Sequence, residues 1–404
     1  ARMIGFELSE EHLEVERAVR EFAAAEVAPR IRELDEEQRH EPRFVEKMAE
    51  LGLLGVCVPR RYGGAGLDYI ALGIVSEELE YVDTSLRVYM SVHTGLNCLS
   101  LLSWGSEDQK QRFLVPQARG EKLATYGLTE PNAGSDAIGI ETTAVRDGDR
   151  YVLNGEKMWI SLADLADQIL VFAWTDMEKR KVRDHSGLTA FMVERGMDGF
   201  TTGSIHGKLG VRAGNTGWLS FQDTPVPLEN RIGDEGEGFK IAMSGLDQGR
   251  YTVAAGATGL IRACRDASVG YAQERTTAGK PIARHQLVKE MIAEMEADYQ
   301  MCRLLWLKAG WMKNQGLRNT RETSLAKLQA TIRSETAASN AIQVHGAYGF
   351  SNEYPVERYY RNCKGAVIYE GTREIHKLLQ ADYALGIRRD RSNRCTLPAY
   401  REED

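Results

Sequence analysis

Near its C-terminal end the chain reads Tyr369-Glu370-Gly371-Thr372, one carboxylate at a turn between two different textures. Before it, Gly365-Ala366-Val367-Ile368 carries no charge; after it, Ile375, Leu378, Leu379 and Tyr383 recur at helical spacing. The adjacent glycine lets another group come close, so a carboxylate on this support could serve as a general base. A plainer alternative is a favourable charge on the dipole of the following helix. A second constellation, Glu80, Arg87 and Ser91, shares a helix face at i, i+7 and i+11. By itself that pattern also describes a solvated face laced with ion pairs.

Three regions must position these groups. Residues 9–117 read as helical: Ser9 is a plausible N-cap, Val15, Val19 and Phe22 lie at i, i+4 and i+7, and Pro29 ends that helix. A loop rich in Gly and Arg (Pro59-Arg60-Arg61-Tyr62-Gly63-Gly64-Ala65-Gly66) leads to further helices through 72–79 and 95–102. Residues 122–230 turn to strands, with Arg146-Asp147-Gly148-Asp149 as a hairpin turn and Asn154-Gly155 as a second turn. Further strand-like runs cover 169–174, 188–193 and 218–221. An antiparallel barrel or sandwich is expected there. From 238 to 387 helical periodicity returns over 239–246, 252–274, 284–314 and 323–345, lengths suited to a four-helix bundle. The expected class is α+β, divided at 1–121, 122–235 and 236–404, with a charged, aperiodic tail from Arg388 that covers the surface or a subunit neighbour.

Composition narrows the function. A net charge of −7 with both signs interspersed leaves no electrostatic footprint for nucleic acid. No apolar run approaches the roughly 20 residues of a membrane span. Met3 reads as the natural start. Six scattered cysteines, none at metal-ligand spacing, suggest reduced thiols in a cytoplasmic compartment and no metal site. Gly-x-Gly-x-x-Gly is absent from any strand–helix context, so a dinucleotide is not bound by that route.

Four ordered motifs carry a resemblance. Tyr126-Gly127-Leu128-Thr129-Glu130-Pro131-Asn132-Ala133-Gly134-Ser135-Asp136, Asn154-Gly155-Glu156-Lys157-Met158-Trp159-Ile160-Ser161, Gln343-Val344-His345-Gly346-Ala347-Tyr348-Gly349-Phe350 and Tyr369-Glu370-Gly371-Thr372-Arg373-Glu374-Ile375 resemble the signatures of the acyl-CoA dehydrogenase family, over about residues 6–387. The resemblance implies FAD as cofactor, an acyl-CoA substrate, electron-transfer flavoprotein as acceptor and a homotetramer built as a dimer of dimers, cytoplasmic or, in a eukaryote, in the mitochondrial matrix. Cofactor contacts are then implied for Tyr126, Leu128, Thr129, Ser135, Trp159, Ser161, Arg275, Gln286, Gln343, Gly346, Thr372 and Glu374. Trp159 could lie against the flavin ring while Ser161 and Thr129 offer donors; taken alone, Trp159 reads as a core aromatic. Arg275, Gln286, Gln343 and Gly346 match positions that reach an adjacent subunit's FAD, although Ala278 stands where the family usually has Phe and Ala347 where Gly is common.

Substrate contacts are implied for Arg87, Glu80, Ser91, Ser135, Arg250, Tyr369 and Gly371, and Glu370 takes the place of the family's catalytic base. Some relatives carry that base on the segment that here reads Gly245-Leu246-Asp247-Gln248-Gly249-Arg250, where Gly249 has no side chain to act. The resemblance also makes the Glu370 N–H a donor to the enolate oxygen. Glu80, Arg87 and Ser91 resemble the trio that meets the distal carboxylate in glutaryl-CoA dehydrogenases, so a dicarboxylic monothioester is expected, glutaryl-CoA or a substituted succinyl-CoA such as benzylsuccinyl-CoA. Phe350-Ser351-Asn352-Glu353-Tyr354 departs from the decarboxylating enzymes. Alternatives are a short, branched or cyclic monocarboxylic acyl-CoA dehydrogenase, an acyl-CoA oxidase (usually a longer chain), and a non-catalytic binding subunit, which retention of Glu370 argues against.

Overall fold

Ser9 caps the first helix, Glu10–Phe22, its hydroxyl accepting the His12 N–H at 3.2 Å. Val19 and Phe22 turn into the core, and a π-helical turn, Ala23–Val27, carries the chain to Pro29. The structure, a computed structural model, describes residues 7–390 and 394–402; Met3 lies outside the described residues. Asp68 caps the helix Tyr69–Val82 by accepting the Ala71 N–H at 2.9 Å. Asp83 then caps Thr84–Tyr89, which runs on through the π-helical stretch Met90–Cys98 into Leu99–Trp104. Nearly every side chain of this run is buried, so it forms an interior rod rather than a surface helix. His93 ties the rod to the next region: its Nδ1 accepts the Ala124 N–H at 3.1 Å and its Nε2 donates to the Gln117 carbonyl at 3.0 Å.

Eight strands follow: β1 Ala124–Gly127, β2 Thr143–Asp147, β3 Arg150–Ser161, β4 Gln168–Trp174, β5 Leu188–Glu194, β6 Phe200–Ser204, β7 Thr216–Pro227 and β8 Arg231–Ile232. They form one sheet in the order β6-β7-β3-β2-β4-β5-β8, with β1 beside β4. Most pairings are antiparallel as expected; β1 and β2 each pair parallel to β4, to which neither is joined directly in the chain. Strand β4 shows why the sheet stays where it is. Ile169, Val171 and Ala173 join Phe191, Val193 and Phe221 on one face, while Leu170, Phe172 and Trp174 join the helical core on the other. With both faces buried, period-2 alternation gives a continuous apolar run.

The Gly148 hairpin turn is present, linking Asp147 to Arg150. The turn expected at Asn154-Gly155 is not. Strand β3 passes straight through it, the extra residue of the irregularity falling on β7 opposite Asn154, and at Gly155 (φ 145°) a Cβ would lie 2.5 Å from the Thr142 hydroxyl. A second bulge follows at Trp159, whose φ is 62°.

Three long helices, Gly238–Glu274, Gln286–Asn314 and Thr320–His345, precede the shorter Val356–Ala366 and Arg373–Ala384. The expected interruption after residue 246 does not occur: Gly238–Glu274 is one helix of 37 residues. It packs both on Thr320–His345 and on the N-terminal Tyr69–Val82. Its glycines make that approach possible. A Cβ on Gly259 would meet the Glu77 carbonyl oxygen at 2.0 Å, and one on Gly256 would meet a Glu80 carboxylate oxygen at 2.1 Å. Close contact outweighs the roughly 1 kcal/mol each glycine costs a helix. The tail returns to the same chain: Arg394 pairs with Glu237, Tyr69 donates to the Pro398 carbonyl, and Tyr400 N–H donates to Asn314. No helix among the described residues is long and apolar enough to cross a membrane.

Candidate active site

The helix Val356–Ala366 ends in a tight loop in which Tyr369 N–H returns to the Gly365 carbonyl at 3.1 Å. Glu370 and Gly371 then take φ values of 54° and 94°. Glycine tolerates that region, whereas for glutamate it carries strain that surrounding bonds must hold. Thr372 closes the loop by capping Arg373–Ala384, its hydroxyl accepting the Ile375 N–H at 3.3 Å. Three buried donors grip the strained carbonyls. Arg250 Nε reaches Glu370 O at 3.0 Å and Lys327 Nζ reaches Gly371 O at 2.7 Å. His376 Nε2 lies 3.3 Å from Glu370 O, with Ser324 on its Nδ1 at 2.8 Å. Arg250 is itself steadied by Asp247 at 3.1 Å.

The Glu370 side chain turns away from the helix it precedes. Its Oε2 is buried and has no hydrogen-bond partner among the described residues, and it faces Gly249, where a Cβ would come within 2.2 Å. A charge stabilising the helix dipole would sit at the exposed helix end. Glu374 does so, paired with Arg373 at 2.7 Å; the dipole alternative for Glu370 therefore fails on geometry. Burial pushes the Glu370 carboxyl up to about 7, although Arg87, Lys327 and Arg250 each pull it down.

Glu80, Arg87 and Ser91 are buried to within 1% exposure, which overturns the solvated-face alternative. Arg87 Nε donates to Glu80 at 2.6 Å, Nη1 to Ser91 at 2.8 Å, and Nη2 to the Tyr369 hydroxyl. Its guanidinium also lies 5.3 Å from the Tyr369 ring centre. Burial alone would lower the Arg87 pKa; Glu80 and then Tyr369 more than reverse that. Glu80 further accepts from Thr84 at 2.9 Å, and Ser91 meets Thr252 at 2.6 Å. Residues from three separate regions of sequence thus form one bonded cluster that ends at the Glu370 turn.

The residues expected to hold FAD are spread more widely. Trp159 is 58% exposed at its bulge, so it is not a core aromatic. A large bare ring held at a positive φ fits a planar ligand. Thr129 and Ser161 flank β3: Met158 N–H donates to the Thr129 carbonyl at 2.9 Å, and Thr125 donates to that of Ser161. Leu128 is buried. Tyr126 is buried too, and its hydroxyl is already committed to the Ala242 carbonyl at 2.8 Å. Ser135 is exposed in the loop before β2. Arg275 caps the far end of Gly238–Glu274, its guanidinium 5.9 Å from the Tyr348 ring centre. Twenty-five residues of helix separate it from Arg250, about 37 Å at 1.5 Å per residue. Gln286, Gln343 and Gly346 are likewise exposed on the bundle, outside the Glu370 cluster.

The sequence reading missed Lys327, His376, Lys157 and Glu130 as parts of the machinery. Lys157 Nζ donates to Glu130 at 2.8 Å, to the Phe172 carbonyl at 2.8 Å and to the Leu128 carbonyl at 3.2 Å. It thereby fixes the backbone that carries Leu128 and Thr129. Lys327 had a readable signal: it falls at helical spacing with Thr331, Ser334, Ala338 and Ala341, a buried stripe otherwise of small residues.

A three-part α+β chain that holds one buried, unpartnered carboxylate and an exposed, bulge-mounted aromatic has the parts of an oxidoreductase of the flavin-using class. Family models agree with that class along most of its length: the acyl-CoA dehydrogenase N-terminal domain matches residues 9–121, the middle domain 125–224 and the C-terminal domain 236–385. The chain belongs to the acyl-CoA dehydrogenase family, whose members are FAD-dependent enzymes. It is 42% identical to the short-chain specific acyl-CoA dehydrogenase of Clostridium acetobutylicum, over 93% of this chain and 98% of that one. Butyryl-CoA dehydrogenase from Megasphaera elsdenii superposes with a TM-score of 0.92 at 36% identity, covering 95% of this chain and all of its own. A glutaryl-CoA dehydrogenase in complex with glutaryl-CoA gives a TM-score of 0.92 at 37% identity, covering 95% of this chain and 98% of that one.

Proposed function

We propose that this enzyme desaturates an acyl-CoA thioester at its α,β bond, with Glu370 as the base that takes the α-proton. The observation that carries this reading is the buried, unpartnered Glu370 carboxylate oxygen facing Gly249. An oxygen left without a partner in the protein is free to meet a substrate C–H. The left-handed turn keeps the carboxylate aimed there, and it leaves the Glu370 N–H without a partner among the described residues. That N–H is a fixed donor for the negative charge that grows on the thioester oxygen as the proton leaves. Trp159, Thr129 and Ser161 are the residues that would hold FAD, which would supply the acceptor for the β-hydrogen as hydride and pass the electrons on to electron-transfer flavoprotein. The distance of Arg275 from Glu370 supports its service to a neighbouring subunit's cofactor in a homotetramer.

For the acyl group we propose a dicarboxylic monothioester whose far carboxylate meets Arg87. Glu80, Ser91 and Tyr369 occupy three of its five N–H groups, which leaves two for a ligand. A second reading, a short monocarboxylic acyl-CoA, is favoured by the same contacts read differently: Glu80 already neutralises Arg87 at 2.6 Å with no substrate charge required. A CoA-thioester panel mixed anaerobically with the holoenzyme, followed by flavin absorbance, separates them. Faster bleaching by glutaryl-CoA or benzylsuccinyl-CoA than by butyryl-CoA, lost in Arg87→Met, is expected. Equal bleaching by butyryl-CoA sinks the dicarboxylate reading.

A further inference from the structure

The grip on the Glu370 turn includes one group that the reaction scheme does not use. Lys327 is fully buried, and its ammonium makes one hydrogen bond among the described residues, to the Gly371 carbonyl at 2.7 Å. A buried ammonium normally has a counter-ion or three acceptors. Charged groups come toward it from four directions: Glu370 on the turn, Arg250 on the long helix, Arg87 on Thr84–Tyr89, and Glu374 on the helix that follows the turn. Glu370 in turn faces Arg87, Arg250, Tyr126 and Tyr369, with His376 kept neutral by burial and Asp247 engaged by Arg250. Glu80 is committed to Arg87 and Glu374 to Arg373. Among the described residues, the one buried, uncommitted acidic group facing Lys327 is therefore Glu370.

We propose that Lys327 is a positioning residue for the reaction: its ammonium holds the Gly371 carbonyl and supplies the charge against which Glu370 gains and loses its proton. The inference rests on Glu370 being the base. Burial draws the Lys327 ammonium down to about 7, while Glu370 props it up, so the two groups sense each other most strongly near neutrality. A lysine that only filled space would set the height of the activity plateau and leave its pH midpoint where it is.

Lys327→Gln keeps a donor for the Gly371 carbonyl and removes the charge. In the holoenzyme, the acid limb of kcat/KM for flavin reduction by the best thioester of the panel should move up by about one pH unit, roughly tenfold in rate on that limb, with FAD content unchanged. An unmoved limb overturns the proposal. Should Lys327→Gln fail to fold, the reciprocal measurement decides: a 13Cε NMR titration of Lys327 in wild-type and Glu370→Gln holoenzymes. Coupling between two sites is mutual, so the Lys327 midpoint should fall in Glu370→Gln, and coincident titrations overturn the inference. Its failure is distinct from failure of the base assignment. Glu370→Gln that still bleaches normally sinks the assignment, whereas an inactive Glu370→Gln beside an unmoved Lys327→Gln limb sinks the role of Lys327 alone.

Discussion

Two buried lysine–glutamate neighbourhoods sit in different parts of the chain, and they are built to opposite standards. In the sheet, Lys157 spends all three of its donors on Glu130, Leu128 and Phe172. Glu130 is filled from the other side by Thr142 and by the Glu141 and Thr142 N–H groups. Between the helices, Lys327 has a single acceptor and Glu370 keeps a buried oxygen with none. Both neighbourhoods bury charge, which is costly unless every group is matched. The first neighbourhood meets that cost with bonds and fixes backbone. The second leaves valence open where a substrate would close it. Saturation of the hydrogen-bonding groups, rather than burial, separates the two neighbourhoods.

The contrast can be broken first at Glu370. Glu370→Gln should fold, bind thioester and lose about 10²–10⁴-fold in flavin reduction, as measured by stopped-flow absorbance. In the wild type the Glu370 carboxyl, raised to about 7, is protonated below that pH, so with Glu370 as the proposed base the same rate should fall about tenfold per pH unit on the acid side. At Lys157 the loss should appear in stability instead. Lys157→Met strands Glu130 in the interior and should cost roughly 3–5 kcal/mol, read as a lowered thermal midpoint even in protein stripped of flavin. A midpoint within a degree of wild type would mean that the saturated pair does not hold the sheet. The smallest effect on folding belongs to Trp159. Because its ring is 58% exposed, Trp159→Leu should change stability by no more than about 0.5 kcal/mol, while FAD is lost more readily on dilution.

Much of this was legible in the sequence. Ser9, the Asp147-Gly148 turn and the apolar periodicity of the long helices rest on local chemistry, and local chemistry is what a sequence displays. The departures arose where tertiary contact overrode it. Asn154-Gly155 carries a turn composition, yet β3 continues because β2 and β7 flank it on both edges and the glycine serves close approach to Thr142. The runs 239–246 and 252–274 read as separate helices, yet Gly249 lies inside one continuous helix whose glycines admit neighbours. The Glu80, Arg87 and Ser91 face gave its spacing but not its surroundings, since spacing alone does not say whether a face meets water. Lys327 and Lys157 went unassigned because a lysine within an apolar stripe announces burial without naming its partner.

Gly249 and Glu370 claim the same few cubic ångströms from opposite walls: a Cβ on the one would lie 2.2 Å from the carboxylate of the other. Gly249→Glu alone forces two carboxylates into a space made for one, and Glu370→Gly alone leaves none. With no side chain at Gly249, the backbone of the long helix itself becomes the wall against which the Glu370 carboxylate lies.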